Sequence, residues 1–133
     1  MRSREDNKKL CERFTWLEHD ENYDFVNILD EIPAGWEDVA LDMITEIDDE
    51  LGRCHCKDKF IVLEAKEKYW VMRIYWSSRD PFDDPVPADC MVEKIISRYE
   101  DITRHICPVC GRYKTPGKIT CKRCERGETN SVI

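Results

Sequence analysis

The sequence predicts an α+β fold in which a small helical body carries a β-hairpin or small antiparallel sheet and ends in a cysteine-rich ribbon. Three observations support this prediction. Apolar residues recur at helical spacing over residues 36–51 and again over residues 90–106. Two segments rich in β-branched and aromatic residues, 60–65 and 69–76, are separated by a short charged connection. Two Cys-x-x-Cys pairs, separated by ten residues, follow near the C-terminus.

The clearest helix is predicted over residues 36–51, because one of its faces is continuously apolar. That stripe consists of Trp36, Val39, Ala40, Met43, Ile44, Ile47 and Leu51. Gly52 stands where a left-handed residue is expected to end the helix.

A second helix is predicted over residues 90–106, with Asp89 as its N-cap. It leads directly into Cys107, so it is expected to orient the ribbon on the body. Weaker patterns predict a peripheral helix over residues 4–18, followed by a loop and a short helix over residues 19–31.

The two strand segments are expected to form a hairpin whose connection is Lys66-Glu67-Lys68. Alternation places apolar side chains on both faces. One face would carry Phe60, Val62, Tyr69, Val71 and Tyr75, and the other Ile61, Leu63, Trp70, Met72, Ile74 and Trp76. If one face packs on the helices, the other needs a cover from this chain or a partner.

The two Cys-x-x-Cys pairs predict a structural zinc site. A two-residue gap lets both thiolates of a pair face one ion, and four sulfurs complete a closed tetrahedral shell. The ligands are Cys107, Cys110, Cys121 and Cys124. Gly111 and Gly127 follow the two pairs and suit the tight turns of a zinc knuckle, while Pro116-Gly117 is expected to form the turn of a small hairpin.

Three other readings of these cysteines are weaker. Disulfides need an oxidising compartment, and the N-terminus shows no secretory signal pattern. A redox Cys-x-x-Cys normally occurs singly beside a βαβ pattern. A zinc deaminase needs His-x-Glu followed by Pro-Cys-x-x-Cys. His19-Asp20-Glu21 matches the first half, but Pro108 lies inside the cysteine pair, and Cys121 and Cys124 would have no role.

Four further cysteines raise the question of a second metal site. Cys54 and Cys56 flank His55, and alternation in an extended segment would point both sulfurs to one side. Cys11 or Cys90 would have to supply further ligands. The alternative is that these are free, partly buried thiols.

The charge distribution divides the chain into an acidic body (1–104), a zinc ribbon (105–127) and a flexible tail (128–133). The net charge is −7. No Lys or Arg lies between Arg13 and Arg53, while thirteen carboxylates occupy residues 18–50. The ribbon is basic, and the cationic residues in it and directly before it are Arg104, Arg112, Lys114, Lys118, Lys122, Arg123 and Arg126. Such asymmetry concerns partners and not fold.

Several of these segments together resemble a group of bacterial and phage proteins with no established activity. Their pattern is Gly-Trp, then Lys-Glu-Lys-Phe/Tyr-Gly-x-Leu-Arg-Phe-Tyr, then Cys-x-x-Cys-Gly. Here Gly35-Trp36, Lys66-Glu67-Lys68-Tyr69 with Met72-Arg73-Ile74-Tyr75, and Cys107-x-x-Cys110-Gly111 match it. The chain departs at Trp70-Val71, where the group has glycine. The resemblance covers about residues 35–124 and implies an α+β fold with a zinc knuckle in a bacterial or phage setting.

The first hypothesis for function is a non-enzymatic interaction protein located in the bacterial cytoplasm. A dense carboxylate surface mimics a phosphate backbone and speeds encounter with a basic protein, such as a host nucleic-acid-processing enzyme that it inhibits. The expected contact residues are Glu37, Asp38, Asp42, Glu46, Asp48, Asp49 and Glu50. Neutralising those at the helix end is expected to leave the fold intact or to firm up the helix.

The alternative is a nucleic-acid-binding protein that acts through its ribbon. Basic side chains would contact phosphates and Tyr113 would stack on a base. The basic residues concerned are Lys114, Lys118, Lys122, Arg123 and Arg126. An enzyme is not expected, because no nucleophile with a base, phosphate loop or open metal site emerges. No apolar run predicts a membrane span, and the oligomeric state stays open.

Overall fold

The fold is given by a computed structural model that describes residues 9–10, 12–17 and 28–125. Its helices and strands are α1 (Ile28–Glu31), α2 (Glu37–Arg53), β1 (Phe60–Lys68), β2 (Val71–Ser78), α3 (Val92–Thr103) and α4 (Lys122–Glu125). Short 3-10 turns lie at Thr15–Leu17, Ala34–Trp36 and Lys57–Lys59. The predicted α+β architecture is confirmed. None of the helices in the described part of the chain has the length and apolar character needed to cross a membrane.

Helix α2 lies at the centre of the core. Every residue of its predicted stripe is buried except Val39, which is half-buried. The core also includes Phe60, Val62 and Met72 from the hairpin and Val92 and Ile96 from α3. From the N-terminal segment, Phe14, Trp16 and Leu17 are buried beside them. Within the predicted helix 4–18, residues 9–10 and 12–13 are helical. Residues 4–8, 11 and 18 lie outside the described residues.

The end of α2 differs from the prediction. Gly52 lies inside the helix, and His55 is the left-handed residue, with φ of 54°. The amide of His55 donates to the carbonyl of Gly52 (3.2 Å), and the amide of Cys56 donates to the carbonyl of Leu51 (2.9 Å). This pair of bonds is the Schellman motif. It satisfies the last carbonyls of the helix and outweighs the cost of a left-handed histidine, about 1–2 kcal/mol.

The hairpin is longer than predicted, and its connection lies elsewhere. Lys66-Glu67-Lys68 belongs to β1, and the two-residue loop is Tyr69-Trp70, with φ of 52° and 67°. Two positive φ values match the twist of the flanking strands, so this tight loop is favoured over a three-residue one despite its aromatic residues. The amide of Trp70 donates to Glu67 Oε1 at 2.7 Å, which fastens the loop to β1.

A β-bulge between Val62 and Glu64 changes which residues share a face. Val62 pairs with Trp76 and Ala65 pairs with Ile74, so these four face the same side. The predicted grouping of Val62 with Tyr75 is therefore wrong.

The outer face of the hairpin carries both charged and apolar side chains. Its side chains include Glu64, Lys66 and Arg73, and the ammonium of Lys66 lies 5.4 Å from the centre of the Tyr75 ring. Lys66 also pairs with Glu64 at 3.1 Å. Tyr75 on this face is 41% exposed and Leu63 in the bulge is 54% exposed, so the expected apolar cover stays a prediction.

Helix α3 protects the outer edge of β2. The hydroxyl of Thr103 accepts the amide of Met72, and a carboxylate oxygen of Glu100 accepts the amide of Ile74, both at 3.0 Å. These amides face away from β1 and would otherwise be an open edge for pairing with another chain. Burial raises the pKa of Glu100. The helix is shorter than the predicted 90–106 segment at both ends.

Glu50 joins the end of α2 to the start of α3. Its two oxygens accept bonds from Arg53 Nε and Nη2, both at 2.7 Å, and one of them also accepts the amide of Met91 at 2.5 Å. Met91, and not the predicted Asp89, is the N-cap of α3, and it makes no side-chain cap. Asp89 instead offers its carbonyl to Arg53 at 3.3 Å. Glu50 opposes the dipole of its own helix but complements that of α3.

We predict that Glu50→Gln destabilises the protein, whereas Asp49→Asn does not. The bonds from Arg53 and Met91 lower the pKa of Glu50 to about 2 from an ordinary 4.5. A depressed carboxyl pKa contributes stability above pH 4.5, and this contribution is lost as pH falls toward 2.

Urea unfolding at several pH values between 2 and 7 measures this effect. The difference in unfolding midpoint between wild type and Glu50→Gln should be largest at neutral pH and shrink toward pH 2. Asp49 is exposed one residue away and is the matched control. Equal midpoints for wild type and Glu50→Gln at neutral pH would contradict the structural role of Glu50.

Candidate metal centre

The four ribbon cysteines come together as predicted. Their sulfur atoms all lie within 4.8 Å of one another, and Cys110 Sγ is 3.5 Å from Cys121 Sγ. Cys107 and Cys121 are buried, while Cys110 and Cys124 are half-buried. Four clustered thiols with this spacing and burial form a site that can hold a metal ion.

The first cysteine pair lies in a tight knuckle. The amide of Cys107 donates to the carbonyl of Arg112 (2.7 Å), and the amide of Gly111 donates to the carbonyl of Cys107 (2.9 Å). Gly111 has φ of 79°, which confirms the conformation predicted for it. Burial alone would raise the pKa of Cys107, but amides including those of Cys121, Cys110 and Val109 point at its sulfur and lower its pKa to about 6. The knuckle therefore favours a thiolate at Cys107, whereas burial raises the pKa of Cys110 to about 12.

The second cysteine pair is formed by a turn and a short helix. The predicted turn at Pro116-Gly117 is confirmed: Gly117 has φ of 89°, and the amide of Lys118 donates to the carbonyl of Thr115 at 3.1 Å. No strands flank this turn within residues 107–125, so the predicted small hairpin is reduced to a turn. Cys121 directly precedes α4, which carries Cys124. The amide of Cys124 points at the sulfur of Cys121 and lowers its pKa.

The knuckle is docked on the body through Gly35-Trp36. The amide of Gly35 donates to the carbonyl of Pro108, and the indole of Trp36 donates to the carbonyl of Ile106, both at 2.8 Å. A Cβ atom at position 35 would lie 2.3 Å from the carbonyl oxygen of Cys107 and 2.6 Å from that of Pro108. Only glycine allows this approach, so the body is shaped to receive the metal site.

Lys114 has a structural position and not the predicted phosphate-binding one. Only 2% of it is exposed, and its ammonium donates to the carbonyl of Arg104 at 2.8 Å, beside the end of α3. Burial lowers its pKa. No sequence pattern indicated that Lys114 would be buried and would bind a backbone carbonyl.

A basic cleft lies next to the cysteine cluster. Its volume is about 590 Å³, and Arg112, Lys118 and Lys122 line it with exposed side chains. Tyr113 is 69% exposed, and its ring is stacked on that of His105 with centres 6.2 Å apart. Arg123 also lines the cleft and is half-buried. Arg126 and Gly127 lie outside the described residues.

The predicted acidic surface separates into engaged and exposed residues. Glu37 and Glu50 are buried. Glu46 accepts hydrogen bonds from Arg98 and Tyr99 on α3.

Asp48 is likewise engaged inside the fold. One of its oxygens accepts the indole of Trp16 at 3.0 Å and lies 3.2 Å from the ammonium of Lys57. Asp38, Asp42 and Asp49 are exposed and lie on one face of α2. For Glu50 the structure supports the opposite prediction to the one that neutralising the helix end leaves the fold intact, because its carboxylate accepts the amide of Met91 at the start of α3.

Cys54, Cys56 and Cys90 form a second cluster, with sulfur atoms within 4.8 Å of one another. The 54–56 segment is not the extended strand expected but the end of α2, where the left-handed turn at His55 places both sulfurs on one side. Burial raises the pKa of each of these thiols, that of Cys54 to about 11. Cys11 and the His19-Asp20-Glu21 segment lie outside the described residues.

Comparison with known proteins finds no matching family model, no similar curated protein and no similar solved structure. The resemblance of residues 35–124 to the bacterial and phage group therefore stays a prediction. The structure gives a physical reason for two of the motifs concerned. Cys107-x-x-Cys110-Gly111 forms the knuckle, and Gly35-Trp36 receives it.

We predict that Gly35→Ala destabilises the protein by about 1–3 kcal/mol, the usual cost of overpacking. The added methyl group would meet backbone atoms of the knuckle, which have no rotamer to change. Chemical unfolding and the rate of metal transfer to a chelator measure the effect, and both should show a weakened ribbon.

Gly52→Ala is the matched control. A Cβ atom there meets only the flexible side chain of Lys57, at 3.4 Å. Because Gly52 lies inside α2, alanine should stabilise by about 0.5–1 kcal/mol. Unchanged stability and metal retention in Gly35→Ala would show that the close approach is unimportant.

Proposed function

We propose that this protein is a zinc-stabilised, non-enzymatic binding protein that binds single-stranded nucleic acid through the basic cleft of its ribbon. The observation that carries the proposal is the position of the cleft directly beside the four-cysteine cluster. Cys121 lines both, so the metal would hold the cleft residues in place.

Zinc is the metal that suits the site. A four-thiolate shell is typical of structural zinc and of iron–sulfur sites. A zinc–sulfur distance of about 2.3 Å in a tetrahedron places sulfurs about 3.8 Å apart, which agrees with the compact cluster. Four protein sulfurs leave no coordination position for a substrate or water, so we propose a structural role for the ion and a binding role for the protein.

The cleft offers two kinds of contact that suit single strands. Arg112, Lys118 and Lys122 can neutralise phosphates. Tyr113 lines the cleft, and its exposed ring, which is stacked on that of His105, offers a face on which an unpaired base can stack. We therefore expect the cleft to bind a backbone phosphate and the face of a base, and not to read the edges of the bases.

A second candidate follows from the exposed stripe of Asp38, Asp42 and Asp49. These carboxylates lie on the solvent side of α2 and could imitate a phosphate backbone toward a basic protein. In that case the protein would act, in a phage setting, as an inhibitor of a basic nucleic-acid-processing enzyme in the host cytoplasm. Four of the seven expected contact residues are buried or engaged within the fold, so we place this candidate second.

We predict that the ribbon binds one zinc ion and that its removal disorders the ribbon while the body keeps its helices and hairpin. Structural zinc contributes about 10–16 kcal/mol of apparent binding energy in small peptides, whereas the core residues around α2 pack without it. Metal analysis of wild type and Cys110→Ser, with circular dichroism before and after chelation, tests both parts. Global unfolding on chelation would contradict the independence of the body, and iron in place of zinc would contradict the metal assignment.

We predict that the Lys118→Ala/Lys122→Ala double variant binds single-stranded oligonucleotides more weakly and with a lower salt dependence. Each lost phosphate contact lowers the slope of log affinity against log salt by about 1, so the pair should lower it by about 2. Fluorescence anisotropy with labelled single-stranded DNA, single-stranded RNA and duplex DNA at several salt concentrations measures this.

The matched control is Lys68→Ala/Lys94→Ala, which removes the same charge from exposed positions on the body. It should bind like wild type. Equal losses in both double variants would point to net charge instead of the cleft. No binding by wild type, together with loss of a co-purified basic protein in an Asp38, Asp42 and Asp49 to Asn variant, would favour the second candidate.

A further inference from the structure

We propose that Cys54, Cys56 and Cys90 form a second zinc site, in which three thiolates bind the ion and the fourth position takes an exchangeable ligand. All three sulfur atoms lie within 4.8 Å of one another. A tetrahedral zinc ion requires sulfurs about 3.8 Å apart, so the side chains need only small rotations to enclose it. This site is independent of the ribbon and of the proposed function.

Local backbone structure sets the first two ligands. Cys54 and Cys56 flank His55, whose left-handed conformation closes the Schellman turn after α2. A histidine with positive φ is uncommon, and such strain persists where surrounding structure holds it. Here it turns two sulfurs, two residues apart, toward a common point.

Tertiary contacts bring the third ligand. Arg53 donates to the carbonyl of Asp89 (3.3 Å), and Glu50 accepts the amide of Met91 (2.5 Å), so the residues on both sides of Cys90 are held at the end of α2. The amide of Cys90 also donates to the carbonyl of Pro87 at 3.0 Å. The loop before α3 is thereby fixed with Cys90 facing the other two sulfurs.

Two hydrogen-bond donors face sulfur atoms of this cluster. Arg53 Nη2 lies 3.3 Å from Cys54 Sγ, and the amide of Val92 points at the sulfur of Cys90. Zinc with three thiolates has a net charge of −1, and the guanidinium beside it is that of Arg53, which also pairs with Glu50. Hydrogen bonds from groups around the ligands are what orient and tune a metal site.

Among the described residues, no other His, Cys, Asp or Glu completes this cluster. The Glu50 carboxylate lies 3.6 Å from Cys54 Sγ, but its oxygens already accept bonds from Arg53 and Met91. Three protein ligands with a fourth position for water or a small ligand are typical of zinc sites at which exchange occurs. The ion would tie the end of α2 to the start of α3, whose other end enters the ribbon. Cysteine clusters would then stand at both ends of α3.

Metal stoichiometry after zinc loading and removal of excess metal tests the site in the full chain. Wild type should hold two zinc ions, Cys90→Ser one, Cys110→Ser one, and the double variant none. Two ions in Cys90→Ser, or one in wild type, would overturn the proposal. Cys11→Ser should keep two ions, and loss of one there would overturn the exchangeable fourth position.

Alkylation of wild type keeps the test independent of whether a variant folds. Thiol alkylation followed by peptide mass spectrometry compares the protein with and without zinc, using zinc alone as the probe. Zinc should slow the reaction of Cys54, Cys56 and Cys90 at least tenfold. Equal rates for these three thiols with and without zinc would overturn the proposal.

Discussion

The close contact between Gly35 and the knuckle is the constraint on which the ribbon's position depends. A single absent side chain lets the carbonyls of Cys107 and Pro108 approach the body backbone, and the Trp36 indole completes the attachment with a bond to Ile106. Trp36 is fully buried against α2, so the metal site is joined to the core itself. The boundary expected at residue 104 therefore separates two regions by charge and composition, but not by contact.

The acidic helix finds its cations at and just beyond its own C-terminal end and across the fold on α3. No Lys or Arg lies between Arg13 and Arg53, yet Arg53, Lys57 and Arg98 pair with Glu50, Asp48 and Glu46. Surface ion pairs contribute little individually. Glu50 differs because its carboxylate also satisfies a backbone amide at the start of α3, where no side-chain cap is present. Part of the carboxylate run on α2 therefore joins α2 to α3.

Helix α3 connects most of these features. Its polar side chains protect the edge of β2, its start is held by Glu50 beside the cluster of Cys54, Cys56 and Cys90, and Lys114 donates to the carbonyl of Arg104 at its C-terminal end. This geometry relates the cleft of the proposed function to the core.

The sequence by itself determined the features that depend on local spacing. Two Cys-x-x-Cys pairs predict the ribbon cluster, the 3.6-residue period predicts the buried stripe of α2, and Gly111 predicts the knuckle turn, because each follows from the geometry of neighbouring residues. Only the tertiary structure decided the rest. The bulge between Val62 and Glu64 placed Val62 on the same face as Trp76 instead of Tyr75. Glu50, and not Asp89, accepts a backbone amide at the start of α3. Lys114 is buried, and Cys90 lies beside Cys54 and Cys56. Each of these depends on a contact between residues distant in sequence, and such contacts exist only once the chain has packed.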